Sequence, residues 1–461
     1  MTRMAQSTGR IVVCGAGIAG ISAAYHLAVV HGCENVVLVE AGNPLSLTSD
    51  KSTECYRNWW PGPDGAMTKF MDHSIDLIEG LARDTGNRFN LNRRGYVFAS
   101  AEPDKVTWLH KMAMLAHTHG AGPVRQHDTA ADTYVPSPES GFEFALTGAD
   151  IITDGSLIRR HFPYLSEKTK VVAHARRAGW LSAQQLGMVM LEAARERGVQ
   201  LVRGRMAGAD IEGGRVSAVH IEQAGQRQTL AATHLVLAAG PMLKSTAAEL
   251  GIDLPIAGER HFKISISDTQ GIIPRTAPMM IWLDGQRLPW TDDENTELAA
   301  DDATRWLTEP FPAGVHGRPD GTGSGSTLLV LFNYENRATD IIFPLPEEEH
   351  YAEIALRGMS TMVPALQAYI DRGVRPYVDG GYYIRTRENR PLIGPTAVEG
   401  VFISGAYSGF GIMASCAGGD LVARHVLGAE LPAYAPAFAL TRYQDPTYLA
   451  LLESWGNDGQ L

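Results

Sequence analysis

The stretch Gly9-Arg-Ile-Val-Val-Cys-Gly-Ala-Gly-Ile-Ala-Gly20 constrains the fold more than any other part of the chain. Ile11 to Cys14 form an apolar run without polar alternation, the pattern of a strand buried on both faces of a parallel sheet. Gly15, Gly17 and Gly20 follow with G-x-G-x-x-G spacing. The first allows a tight turn, the second lets a pyrophosphate approach the backbone beside Ala16 and Ile18, and the third lets the next helix pack closely. That helix, about Ile18 to His31, turns its free N–H groups and positive dipole end toward the phosphate. A second apolar run, Val36 to Glu40, ends in a carboxylate twenty residues after Gly20. Glu40, with Ala41 behind it, is placed to accept hydrogen bonds from a ribose 2′-hydroxyl and to repel a 2′-phosphate. Strand, glycines, helix, strand and acid within about 30 residues predict a dinucleotide site. The glycines alone leave FAD and NAD both open.

Composition sets the outer bounds. At 461 residues the chain exceeds one ordinary domain. With 44% hydrophobic and 20% charged residues it can bury a large core. Its 40 basic and 51 acidic residues, net −11, give no basic footprint for nucleic acid or anionic membrane. Cys14, Cys33, Cys55 and Cys416 are scattered, with no C-x-x-C pair or Cys/His cluster of zinc spacing, so no metal site is expected. Few cysteines suit a reducing compartment. Met1 to Thr8 is polar and lacks the apolar core of a signal peptide, and no apolar run reaches the roughly 18 residues of a membrane span. These features point to a cytoplasmic protein.

Along the chain, Leu47 to Pro61 is rich in small hydroxyl residues and then in aromatics, and Lys51, Ser52 and Thr53 within it are candidate cofactor contacts. Thr68 to Thr85 and Val106 to His119 have helical spacing, and Gly95 to Ala99 reads as a strand. Leu186 to Arg197 predicts a helix, Gln200 to Met206 and Val216 to Ile221 strands, and Thr233 to Ala239 a buried strand ending in Gly240-Pro241. From Arg260 to Tyr334 the pattern is mostly β, interrupted by the acidic stretch Asp284 to Pro310, which reads as a solvated surface excursion. The C-terminal part returns to glycine turns: Gly380 to Pro395, then Val401 to Asp420. The first sheet is thus revisited late, which predicts discontinuous domains: 1–95, 180–255 and 380–461 for the dinucleotide, and 96–179 with 256–379 for the substrate.

These segments, in this order, resemble the D-amino-acid-oxidase-like FAD flavoproteins, the group that includes sarcosine oxidase, glycine oxidase and dimethylglycine dehydrogenase. The fingerprint to Glu40 is generic to two-dinucleotide-binding flavoproteins. More specific are the strand end Leu235 to Pro241, the Thr386 to Gly394 stretch that resembles the family's T-x-x-x-x-P-x-I-G turn, and Ser408-Gly-Phe-Gly411-Ile412, which resembles its S-G-x-G motif. The resemblance implies an α/β fold, a Rossmann-like FAD-binding domain with a mainly antiparallel β substrate domain. It implies FAD as cofactor, held by the fingerprint, by Met206, Ala239 and Gly240, and by Gly409, Phe410, Gly411 and Ile412. A helix N-terminus after Gly411 suits negative charge developing on a reduced flavin.

The activity implied is oxidation of a C–N bond of an amine or amino acid, with an imine then hydrolysed and oxygen or another carrier as electron acceptor. Arg57 corresponds to a carboxylate-binding arginine of sarcosine oxidase, and a guanidinium fork suits that partner. Tyr383 falls at a substrate-pocket position, tyrosine in sarcosine oxidase and arginine in glycine oxidase. These two and His261 are the candidate catalytic residues; His261, Lys263 and His316 also read as structural groups of the β region, and Trp59 and Trp60 as core or an aromatic wall.

Three departures matter. Gly381 stands where sarcosine oxidase has its flavin-linking cysteine, and Leu47 to Trp60 lacks the linking histidine of dimethylglycine dehydrogenase, so FAD is expected to be non-covalent, with Cys55 the one alternative attachment. Met413 replaces the lysine after S-G-x-G that helps hold the carboxylate, and Leu328 to Phe332 lacks the lysine that activates oxygen. Two other readings stay open: an FAD dehydrogenase of a 2-hydroxy acid, or of an amine with a non-oxygen acceptor, and a binding or assembly protein that keeps the flavin as structure.

Overall fold

The computed structural model of the chain describes residues 9–131, 133–321 and 325–454, so Met1 to Thr8 lie outside the described residues. Ile11–Cys14 is central in a six-stranded sheet. Val36–Glu40 and then Gln200–Arg203 lie on one side of it, His234–Leu237 and then Val401–Gly405 on the other, all parallel; Leu392–Pro395 closes the edge antiparallel. Successive residues of a strand point to opposite faces. Ile11, Val13 and Leu38 therefore pack with residues of the helices Ile18–Tyr25, Ala183–Glu196 and Gly411–Leu427. Val12, Cys14, Val37 and Val39 pack against a three-stranded antiparallel sheet, Arg205–Glu212, Arg215–Gln223 and Gln226–Ala231. Both faces of Ile11–Cys14 and of Val36 to Val39 are covered, which is why these two runs are apolar throughout, whereas the edge strand Gln200–Arg203 is largely exposed.

The second sheet has ten strands. Ala338–Thr339, Ala257–Ser267, Thr327–Leu331, His316–Pro319, Met279–Trp282, Tyr96–Ser100, Val171–Ala175, Ala149–Ile152 and Val124–His127 follow one another, and Tyr377–Arg385 also pairs with Ala257–Ser267. Pairing is antiparallel except for Met279–Trp282 with Tyr96–Ser100 and Val124–His127 with Ala149–Ile152. Helix Tyr351–Met362 shares a core with Val97, Ile264 and Val330, whereas Asp104–Thr118 shares one with Phe98, Ala173 and Ile281.

Several local expectations need correction. The strand predicted over Gln200 to Met206 is two strands in two sheets, broken at Gly204 with φ +157°; a β-carbon there would lie 2.4 Å from the Ile221 side chain. The first helix is α-helical only over Ile18–Tyr25 and continues as a π-helical turn, His26–Val30, where the buried His26 ring meets the Ser22 carbonyl at 2.8 Å. The boundary expected at 380 falls inside Tyr377–Arg385, whose whole length pairs with Ala257–Ser267. The acidic stretch carries a helix, Asp292–Ala300, with a Thr291/Glu294 capping box and no buried residue, yet its flanks are anchored by the buried Asp284, Leu288 and Leu307. Among the described residues no helix is long and apolar enough to cross a membrane.

Candidate active site

At the carboxyl end of the central strand the chain turns at Gly15, with φ +102° and its N–H donating to the Val39 carbonyl at 2.8 Å. A β-carbon on Gly15 would sit 2.5 Å from the Ala238 carbonyl oxygen, and one on Gly20 only 1.8 Å from that of Gly15. The first glycine thus makes the turn and the third lets the helix lie against it. Around Gly17 the nearest atom to an added β-carbon is Ser49 Oγ, at 3.4 Å, so this backbone stands open. Glu40 accepts the Ala16 N–H on one carboxylate oxygen and the Gly42 N–H on the other, each at 2.7 Å. Its lone pairs have room for further donors.

A cleft runs from this turn across the ends of three strands. Gly15, Gly17, Ile18, Glu40, Ala41, Ser52, Met206, Ala239, Gly240, Gly409, Gly411 and Ile412 form its wall. Of the other expected contacts, Ala16 gives its N–H to Glu40 and Gly20 packs behind the turn. Lys51 is instead ion-paired to Asp50 at 2.7 Å and Asp379 at 3.2 Å, and lines a neighbouring cavity near Gly381. Thr53 and Phe410 face the second cavity described below. At the far end, helix Gly411–Leu427 starts without a side-chain cap, so its first N–H groups suit an anionic group in the cleft. The glycine cradle, the acid at the strand end and the uncapped helix fit a dinucleotide such as FAD. Cys55 is buried, gives its thiol to the Thr53 carbonyl at 3.2 Å and lines neither cavity.

The second cavity, about 370 Å³, meets the cleft at Tyr383 and Gly409, which line both. A β-carbon on Gly409 would lie 2.6 Å from the Tyr383 ring, so the ring's position requires glycine. Burial pushes the Tyr383 phenol up to about 12, which keeps it a neutral donor. Arg57 projects from the short strand Cys55–Arg57, paired with Ala178–Trp180, and is only 8% exposed. Its guanidinium carbon lies 4.5 Å from the Trp60 ring centre, 5.4 Å from Tyr96 and 6.0 Å from Phe98. Burial lowers its pKa, and among the described residues it has no carboxylate partner. Trp60 is fixed by donating its indole N–H to the Arg57 carbonyl at 3.1 Å, whereas Trp59 is core, its ring tilted against Phe98 at 4.7 Å.

His261 does not reach this cavity. Its ring stacks on Tyr383 at 3.8 Å and backs the phenol from behind. Lys263 donates to the Ser52 carbonyl at 3.1 Å and holds the Ser52 segment in place. His316, read as structural from the sequence, lines the cavity. Its Nδ1–H donates to the Gly314 carbonyl at 2.8 Å, leaving Nε2 as the lone-pair nitrogen, and burial lowers its pKa to about 4. Met413 also lines the cavity.

Sequence reasoning missed Ser49, whose Oγ takes the Ile18 N–H at 3.0 Å, and Arg318, fully buried and bonded to Thr53, Glu54 and Asp320. It also missed Lys105 and Trp108 on the cavity wall. Neither left a sequence signal, since the helix read from Val106 begins at Asp104 and so takes in Lys105, a cation in its first turn, where the dipole disfavours it.

A parallel sheet with a glycine cradle, joined to a large mixed sheet that roofs a cavity, defines the class of two-domain dinucleotide-dependent oxidoreductases. The FAD dependent oxidoreductase family model matches residues 10–425, and the chain belongs to that family. Its structure is similar to L-proline dehydrogenase from P. horikoshii, with a TM-score of 0.72, 17% identity and 95% and 98% of the two chains covered. It is also similar to glycine oxidase from Geobacillus kaustophilus (0.69, 18%, 95% and 99%) and to iminodiacetate oxidase from Chelativorans sp. BNC1 (0.66, 16%, 93% and 98%). At these identities the likeness is one of fold.

Proposed function

We propose that the protein oxidises the C–N bond of an amino acid or related amine, with FAD held non-covalently in the cleft. The observation that carries this is Arg57, a buried guanidinium without a carboxylate partner among the described residues, in a cavity that shares Tyr383 and Gly409 with the cofactor cleft. Such a cation is suited to the carboxylate of a ligand. FAD, when bound, supplies the acceptor for the two electrons and the hydrogen that leave the substrate carbon. The chain's residues do the rest: Gly15, Gly17 and Glu40 hold the dinucleotide, Arg57 orients the substrate carboxylate, and Tyr383, backed by His261, offers a neutral hydroxyl.

The cavity wall favours an amine over a hydroxy acid. A neutral amine uses its own lone pair to form the imine, which water then hydrolyses. An alcohol must give its proton to a base, and among the described residues the wall holds no carboxylate, while His316 is a weak base near 4. Oxygen or another carrier would reoxidise the flavin. The proposed domain division follows the two sheets, with Tyr377–Arg385 on the substrate side. Four unpaired, buried cysteines support a reducing, cytoplasmic setting.

The test is to record the visible spectrum of the purified protein, precipitate it with acid, and screen amines, amino acids and hydroxy acids for anaerobic bleaching. Free FAD in the supernatant and bleaching by an amine or amino acid, with imine hydrolysis products, are expected. Bleaching by hydroxy acids alone would overturn the chemistry; a flavin that none of them bleaches would favour a structural role.

A further inference from the structure

Resting on the reading of Arg57 as a carboxylate site, we propose that the substrate carries a second acidic group, received by Lys105 on the wall of the same cavity. Among the described residues the charged groups of that wall are Arg57 and Lys105, and no aspartate or glutamate lines it. The fully buried arginines elsewhere in the fold differ. Arg318 pairs with Glu54 and Asp320, Arg176 with Asp150, and Arg390 with Asp64. The fold elsewhere neutralises a buried guanidinium, and here it leaves two cations facing one space.

Lys105 is itself placed against local preference. It lies in the first turn of helix Asp104–Thr118, where a cation opposes the dipole, and its ammonium rests 4.9 Å from the Trp108 ring centre, one helical turn on. Among the described residues it makes no ion pair. The neighbouring Asp104 is exposed and lies off the cavity wall. A substrate with one carboxylate would leave one of the two cations uncompensated, whereas a diacid balances both. Two cations without a carboxylate also disfavour an ammonium group between them, so the bound amine is held in its neutral, oxidisable form. Violations of a local rule tend to sit at functional sites.

The test uses the FAD-loaded protein and inert acids of matched length: succinate, glutarate and adipate against butyrate, pentanoate and hexanoate, titrated by the perturbation of the visible flavin spectrum. At least one diacid is expected to bind about tenfold tighter than its monoacid, with the best length reporting the span from Arg57 to Lys105. Lys105→Met should bring that ratio to within roughly threefold and Lys105→Arg should keep it, as expected when a charge rather than packing carries the preference. Monoacids binding as tightly as diacids at every length, with Arg57→Met weakening both, would overturn the second acid site and leave the Arg57 reading standing. If no acid perturbs the spectrum, the carboxylate role of Arg57 fails first, and this proposal with it.

Discussion

Replacing Arg57 by methionine separates a binding role from a structural one, because the two move stability and affinity in different directions. A buried ion costs several kcal/mol of desolvation. Against this, the Trp60 ring at 4.5 Å contributes about 2 kcal/mol, and Tyr96 and Phe98, at 5.4 and 6.0 Å, about 0.5–1 kcal/mol each. The sum nearly cancels, so Arg57→Met, which keeps the apolar stem without the guanidinium, should leave the urea midpoint almost unchanged. Breaking a buried ion pair would instead cost about 3–5 kcal/mol. Carboxylate affinity should fall by about 3 kcal/mol, on the order of 100-fold, since a charge-assisted bidentate contact is lost. The assay pairs urea unfolding with butyrate titration of the flavin spectrum. A variant destabilised by about 3 kcal/mol or more that still binds butyrate with wild-type affinity would refute the reasoning.

Other outcomes follow from the same geometry. Gly15→Ala meets the Ala238 carbonyl at 2.5 Å with φ +102°, so the purified variant should lack the flavin absorbance of the wild type. Glu40→Gln keeps an acceptor but loses charge-assisted bonding to a ribose; FAD affinity, measured by fluorescence quenching, should fall about tenfold. His26 and His316 are each lowered to about 4, burial being the main cause, against an ordinary value near 6.5. The unfolded chain therefore binds more protons between these values, and stability should rise with pH from about 4 to 6.5 and be lost on acidification. Urea midpoints at pH 7, 6 and 5 test this, and His316→Asn should flatten the slope; midpoints independent of pH would count against it.

How much of this was legible in the residues depended on whether the signal was local. Ile11 to Glu40 carries its own turn, strand and helix grammar, so the cradle and its acid were readable directly, and the Ser408 to Ile412 turn was placed by its resemblance. The sheet switch at Gly204 was not readable, since it answers to a neighbour on another strand, Ile221, and the π-helical turn, with the His26 ring on the Ser22 carbonyl, leaves no mark in the apolar spacing that reads as a helix. His261 could not be told from a wall residue, because strand periodicity gives its face and not the Tyr383 ring that covers it.

The sequence by itself determined that a dinucleotide site exists and where its backbone turns, because glycine conformations and buried-strand runs are properties of neighbouring residues. Only the tertiary structure decided what surrounds the substrate. Arg57, Lys105, Tyr383 and His316 are up to 326 residues apart in the chain and share one cavity because the ten-stranded sheet, the two-stranded sheet that carries Arg57 and the helix Asp104–Thr118 meet around it. Whether Arg57 has a counter-ion depends on what those sheets bring near it, and charge compensation across long sequence distances leaves no local mark.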